Sequence, residues 1–191
     1  RRVLRPVLVG FVTISVGCGL QPSHNPDALR SLESASAVVT LHFSDASVPP
    51  PYHRSYDLTV QRGEVHVVVD SYGDVLDDVT VDLPDREWEE FLDQLPDAVE
   101  GLSPAGDDVG CAGDTGMDFT VTDGQRAVYR VSAGGCSGAS GELKTQLNRL
   151  MEPFANRVDL DKLTEPDQSS DDTTVGIPGT ASTQPLPPTT G

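Results

Sequence analysis

Three sets of side chains in this 191-residue chain have types and spacings that bear on chemistry. The first is the acidic glycine loop 106–114, where Asp107, Asp108 and Asp114 stand among Gly106, Gly110 and Gly113. Carboxylates on such a loop offer the hard oxygen ligands that calcium takes, and with a histidine they would hold a metal for assisted hydrolysis. Their spacing departs from an EF-hand, which needs acids at alternating positions and a closing glutamate. Asp77 and Asp78 would have to arrive from another loop to complete a site. The plainer reading is a solvated acidic loop.

The second set is the four histidines, His24, His42, His53 and His66. His42 and His66 fall opposite the apolar residues of their segments, so alternation places both on one side of a sheet. Two imidazoles on one face can begin a zinc site, but a third ligand is required. No His-x-x-x-His or His-Glu-x-x-His spacing occurs, and the four read as surface histidines. The third set is Ser137 and Ser140, in a glycine-rich stretch ahead of the last helical pattern. It superficially resembles a nucleophile elbow but lacks Gly-x-Ser-x-Gly, and it also lacks the phosphate-loop Gly-Lys-Ser/Thr. A helix start there would suit an anion, while the simpler expectation is that Ser140 caps the helix. No residue is assigned a catalytic role.

Positioning these groups falls to a sheet and two helices. Val39, Leu41 and Phe43 share one face of a first strand. After the break at Val48, Pro49, Pro50 and Pro51, the residues Tyr56, Leu58 and Val60 repeat the alternation. Arg62 and Gly63 form a two-residue turn into Val65, Val67 and Val69, and Val79, Val81 and Leu83 mark a fourth run. The period then changes. Trp88, Phe91, Leu92 and Leu95 lie on one helical face that starts near Pro84 and Asp85 and is expected to end at Pro96. Met117, Phe119 and Val121 form a fifth strand, and Asp123-Gly124 turns into a sixth through Val128 and Val131. Leu143, Leu147, Leu150, Met151 and Phe154 form a second helix, with Pro153 expected to kink or end it. The predicted fold class is α+β, an antiparallel sheet of about six strands with two helices on one face, in the order ββββαββα.

Cys111 and Cys136 sit at the two outer ends of the predicted fifth-and-sixth-strand hairpin, each among glycines. An even pair in an oxidising compartment predicts a disulfide, which would stabilise the fold by roughly 3–4 kcal/mol. Their separation is far from the Cys-x-x-Cys of redox-active pairs.

The remaining cysteine, Cys18, closes the sequence Ser15-Val16-Gly17-Cys18 after a positive start (Arg1, Arg2, Arg5) and an apolar stretch. This order of parts resembles the signal and lipobox of bacterial lipoproteins, with Ser15 where the pattern usually carries leucine. The resemblance covers only this segment. It implies that 1–17 is a removable signal, that Cys18 carries lipid, and that the protein lies on the outer face of the cell membrane. The apolar stretch is well short of the ~20 residues a spanning helix needs. Residues 18–34 read as a polar tether, 35–163 as the disulfide-bridged domain, and 164–191 as a Ser/Thr/Pro-rich acidic tail expected to be disordered.

Charge agrees with export. Against 13 Lys and Arg stand 30 Asp and Glu, a net charge of −17, and loss of the signal with its three arginines makes the mature chain more acidic still. Such a surface repels nucleic-acid phosphates, so no nucleic-acid partner is expected. The expectation is a lipid-anchored, non-catalytic binding or interaction module of the cell envelope. It would meet the membrane through its lipid and an envelope protein through its surface. The competing class is a metal-assisted hydrolase or calcium-binding module using Asp107, Asp108 and Asp114; no other cofactor is implied.

Overall fold

The computed structural model describes residues 26–102, 113–134 and 138–166. The observed order of strands and helices is the predicted one, an α+β arrangement built on a six-stranded antiparallel sheet. The strands are β1 (Ala37–Ser44), β2 (Ser55–Gln61), β3 (Glu64–Ser71), β4 (Asp74–Asp82), β5 (Gly116–Asp123) and β6 (Arg126–Ala133). In space they run β4-β3-β2-β1-β5-β6. The first four form a meander, and β5 then joins the free side of β1, with Leu41 opposite Phe119.

Alternation decides the faces. Val39, Leu41, Leu58, Val60, Val65 and Val67 are buried on one side with Phe119 and Val121 of β5. That side is covered by α1 (Asp85–Glu100) and α2 (Gly138–Arg157), whose Trp88, Leu95, Leu143 and Leu147 complete the core. A four-residue helix, α3 (Leu160–Leu163), follows α2. Gly63 has φ 88°, as the predicted turn after β2 requires. The turn into β4 carried a weaker signal, because Tyr72 occupies one of its two left-handed positions (φ 55°) and Gly73 the other (φ 91°). Tyr72 is held there by a hydrogen bond from its Oη to the Val48 carbonyl at 2.6 Å and by stacking on His53. β4 consequently starts at Asp74, and Leu83 lies just past its end.

Both helices outrun the prolines expected to stop them. α1 continues through Pro96 to Glu100, and α2 through Pro153 to Arg157. Proline removes one helical hydrogen bond and crowds the preceding turn, but tertiary contacts hold the chain helical beyond it. After Pro96, Val99 is buried, and Arg30 grips the last turn of α1 through Asp97 at 3.0 Å and Glu100 at 3.9 Å. After Pro153, Phe154 packs edge-on against Phe91 at 4.7 Å. Arg157 then donates to the Asp82 carbonyl and to Glu87.

The start of the folded region also differs from the expected tether. Pro26–Ser31 is a 3-10 helix packed on α1, Leu29 is 2 % exposed, and Ser34 accepts a hydrogen bond from the Trp88 indole at 3.0 Å. One leucine and one arginine directed at the second half of a helix suffice to fold a segment whose composition is that of a linker. At the other boundary, Thr164 still closes α3 through its N–H to the Leu160 carbonyl at 2.9 Å.

Candidate functional site

The sequence-predicted residues are placed unevenly. Cys18, Cys111, Cys136, Asp107, Asp108, His24 and Ser137 lie outside the described residues, as do the expected signal and all of the tail beyond Pro166. Asp114 is described, and its Oδ2 lies 3.4 Å from Lys144 Nζ, which also donates to the Thr115 carbonyl at 2.5 Å. An ammonium therefore already balances that carboxylate. Among the described residues, no three His, Cys, Asp or Glu side chains converge as metal ligands. Ser140 sits inside the first turn of α2, where it is buried and its hydroxyl donates to the Gly134 carbonyl at 2.8 Å. It ties the helix start to the end of β6.

His42 and His66 lie on the open face of the sheet, opposite the core. His42 Nδ1 is 2.8 Å from Asp57 Oδ1, and its Nε2 is 3.0 Å from Ser44 Oγ. Asp118 faces it from β5 and accepts from Ser132 and Arg130. His66 Nε2 likewise lies 2.8 Å from Asp78 Oδ1. The atom order Ser44–His42–Asp57 is that of a nucleophile with its base and orienting acid. However, Asp57 is 53 % exposed, and neither Ser44 nor His42 lines the groove described next. The network reads as cross-strand pairing that stitches a solvated sheet face.

A concave feature lies on the other face. A groove of about 730 Å³ runs between the end of the sheet where β1 passes into β2 and the flanks of α2 and α3. That volume is in the range of small-ligand sites. Its sheet wall is the stacked pair Phe43 and Tyr56, ring centroids 5.1 Å apart, both on the inward face of their strands. Its helical wall carries Asn148, Arg149, Glu152 and Asn156 from α2, with Asp161 beyond. Burial, helped by the charge of Asp161, pushes the Tyr56 phenol up to about 12, so it stays a neutral donor at ordinary pH.

The loop joining β1 to β2 supplies Asp45, Tyr52 and Arg54. Its three prolines limit the backbone, and Asp45 closes its neck. Asp45 Oδ1 accepts from the Ala46 N–H at 2.7 Å, Oδ2 accepts from the Arg54 N–H at 2.8 Å, and its own N–H donates to Ser55 Oγ at 3.0 Å. The β3–β4 hairpin braces the loop from outside through Ser71 Oγ, which donates to the Pro50 carbonyl at 2.9 Å. Arg54 is thereby fixed with only 8 % of its surface exposed. Among the described residues its guanidinium makes one hydrogen bond, Nη1 to the His53 carbonyl at 2.8 Å, and no carboxylate pairs with it.

Sequence reasoning did not find this site. Alternation places Tyr56 on the inward face, but no local pattern tells that Arg54 is buried or that the polar flank of α2 lies across from it. The one signal available was an aromatic and basic run, Tyr52-His53-Arg54, directly after three prolines.

No known protein family matches the chain, and no curated protein matches it in sequence.

Proposed function

We propose that this protein is a binding module of the cell envelope, held by lipid at Cys18 and taking its ligand in the groove between the β1–β2 loop and α2. One observation carries the binding half of this reading: aromatic rings share a cavity of ligand size with a buried guanidinium that pairs with no carboxylate among the described residues. The lipobox-like sequence supports the anchored half. Among the described residues no helix is long and apolar enough to cross a membrane.

Geometry lends the reading further support. The 3-10 helix that follows the tether precedes the first residue of β1, whereas the groove lies past its last. A strand of eight residues separates the two by about 26 Å at 3.3 Å per residue. The groove would then open at the end of the domain far from the lipid.

The test combines both halves in living cells by crosslinking and capture through a tag on the tail. Cys18→Ser is expected to move the protein from the membrane fraction to the medium. Ala155→Trp, which fills the groove without changing charge, is expected to abolish the crosslink made by the anchored protein. Unchanged partitioning of Cys18→Ser would remove the anchor, and an unchanged crosslink with Ala155→Trp would remove the groove.

A further inference from the structure

Resting on the groove as the binding site, we propose that its ligand is an amphiphile with a single carboxylate, the carboxylate held by Arg54 and the apolar body laid along Phe43 and Tyr56. In a chain with 30 acidic side chains, Arg30, Arg62, Arg86, Arg130 and Arg157 each pair with a carboxylate at the surface. Arg54 is the buried arginine, and among the described residues it has no such partner. Burying a cation is costly unless an anion or a set of hydrogen bonds compensates it. Among the described residues one backbone carbonyl serves a group with five N–H donors. Arg54 lines the cavity, on a loop tied at its neck by Asp45.

A guanidinium fork presents parallel N–H groups that match a carboxylate or a phosphate. The rest of the lining chooses between them. Arg149 adds a second cation, but Glu152 and Asp161 stand across from the loop. Asp45 is spent on two backbone N–H groups. With Glu152 and Asp161 facing Arg149 in the same lining, pairing Arg54 takes one negative charge, which a carboxylate supplies. Phe43 and Tyr56 supply the apolar bed, and the neutral Tyr56 phenol adds a donor.

The carboxylate belongs to a separate molecule.

The experiment uses the full chain carrying Cys18→Ser and titrates three probes with one body, phenylbutyrate, phenylbutanol and phenylbutylamine, followed by nuclear magnetic resonance. Phenylbutyrate is expected to bind about tenfold more tightly than the alcohol, the worth of one charge-assisted hydrogen-bonded pair, with the amine weakest. Arg54→Gln should erase the preference for the acid without lowering the thermal midpoint, since it removes a buried charge, and Arg54→Lys should keep part of the preference. Equal binding of acid and alcohol, or a preference that survives Arg54→Gln, overturns the proposal. If Ala155→Trp blocks acid and alcohol alike when neither is preferred, the groove stands and only the anion assignment falls. If neither probe responds to Ala155→Trp, the groove itself falls.

Discussion

At the scale of single residues, burial rather than residue type separates the groups with a role from those that decorate the surface. His42 with Ser44 and Asp57 has the more suggestive chemistry, yet it lies on a solvated sheet face. Arg54 and Tyr56 are unremarkable by type and become informative because they are enclosed. Tyr56 makes this measurable. Its phenol is pushed up to about 12 in the folded protein, against about 10 in an unfolded chain. The folded state therefore keeps a proton that the unfolded state loses. That stabilisation is complete below pH ~10 and disappears as pH rises toward ~12. Denaturant unfolding at pH 11 is expected to give a stability about 1 kcal/mol lower than at pH 9, and Tyr56→Phe should flatten that drop. An equal drop in the variant would place the cause elsewhere.

At the scale of elements, the strands were legible because their signal is strictly local. Residues such as Val65, Val67 and Val69 alternate with polar neighbours, and the pleat translates that alternation directly into faces. The ends of the helices were not legible, because Arg30, Leu29 and Glu87 act from outside the helices they stabilise. A proline inside a helix is a local penalty, and burial of residues such as Leu29 and Val99, with a smaller contribution from an exposed ion pair to a segment some seventy residues away in sequence, works against it. The same reasoning explains why 26–34 reads as a tether but folds. Leu29→Ala is expected to destabilise the domain by about 2–4 kcal/mol, the range for a buried leucine. A change below ~0.5 kcal/mol in chemical denaturation would return the segment to the linker class. The groove illustrates the limit from another direction, because its walls come from a loop and a helix nearly a hundred residues apart, and sequence contains no term that brings Arg54 toward Asn148.

At the scale of the whole molecule, the Cys111–Cys136 pairing is a proposal that concerns residues outside the described ones. In the β5–β6 hairpin Met117 stands opposite Ala133, so the chain leaves both strands at one end, and Cys111 and Cys136 follow a few residues beyond on either side. A bridge there would fasten the loop after α1 to the start of α2, at the same end of the sheet as the groove. Intact mass under non-reducing conditions is expected to show Cys111 and Cys136 without free thiols in the chain carrying Cys18→Ser. Alkylation of either cysteine without reductant would rule the bridge out.

The position of β1 at the seam of the sheet has one more consequence, which concerns time. Its pairing with β2 spans only a loop, whereas its pairing with β5 joins Ala37 to Asp123, across most of the domain. Contacts of such sequence separation form late, because the intervening chain must be closed before they stabilise anything. During synthesis the β1–β4 meander would emerge complete while its most apolar strand still presented an unsatisfied edge. A half-delivered chain of this protein is thus a sheet open at β1 as well as at β4, and the arrival of β5 is the event that covers the β1 edge.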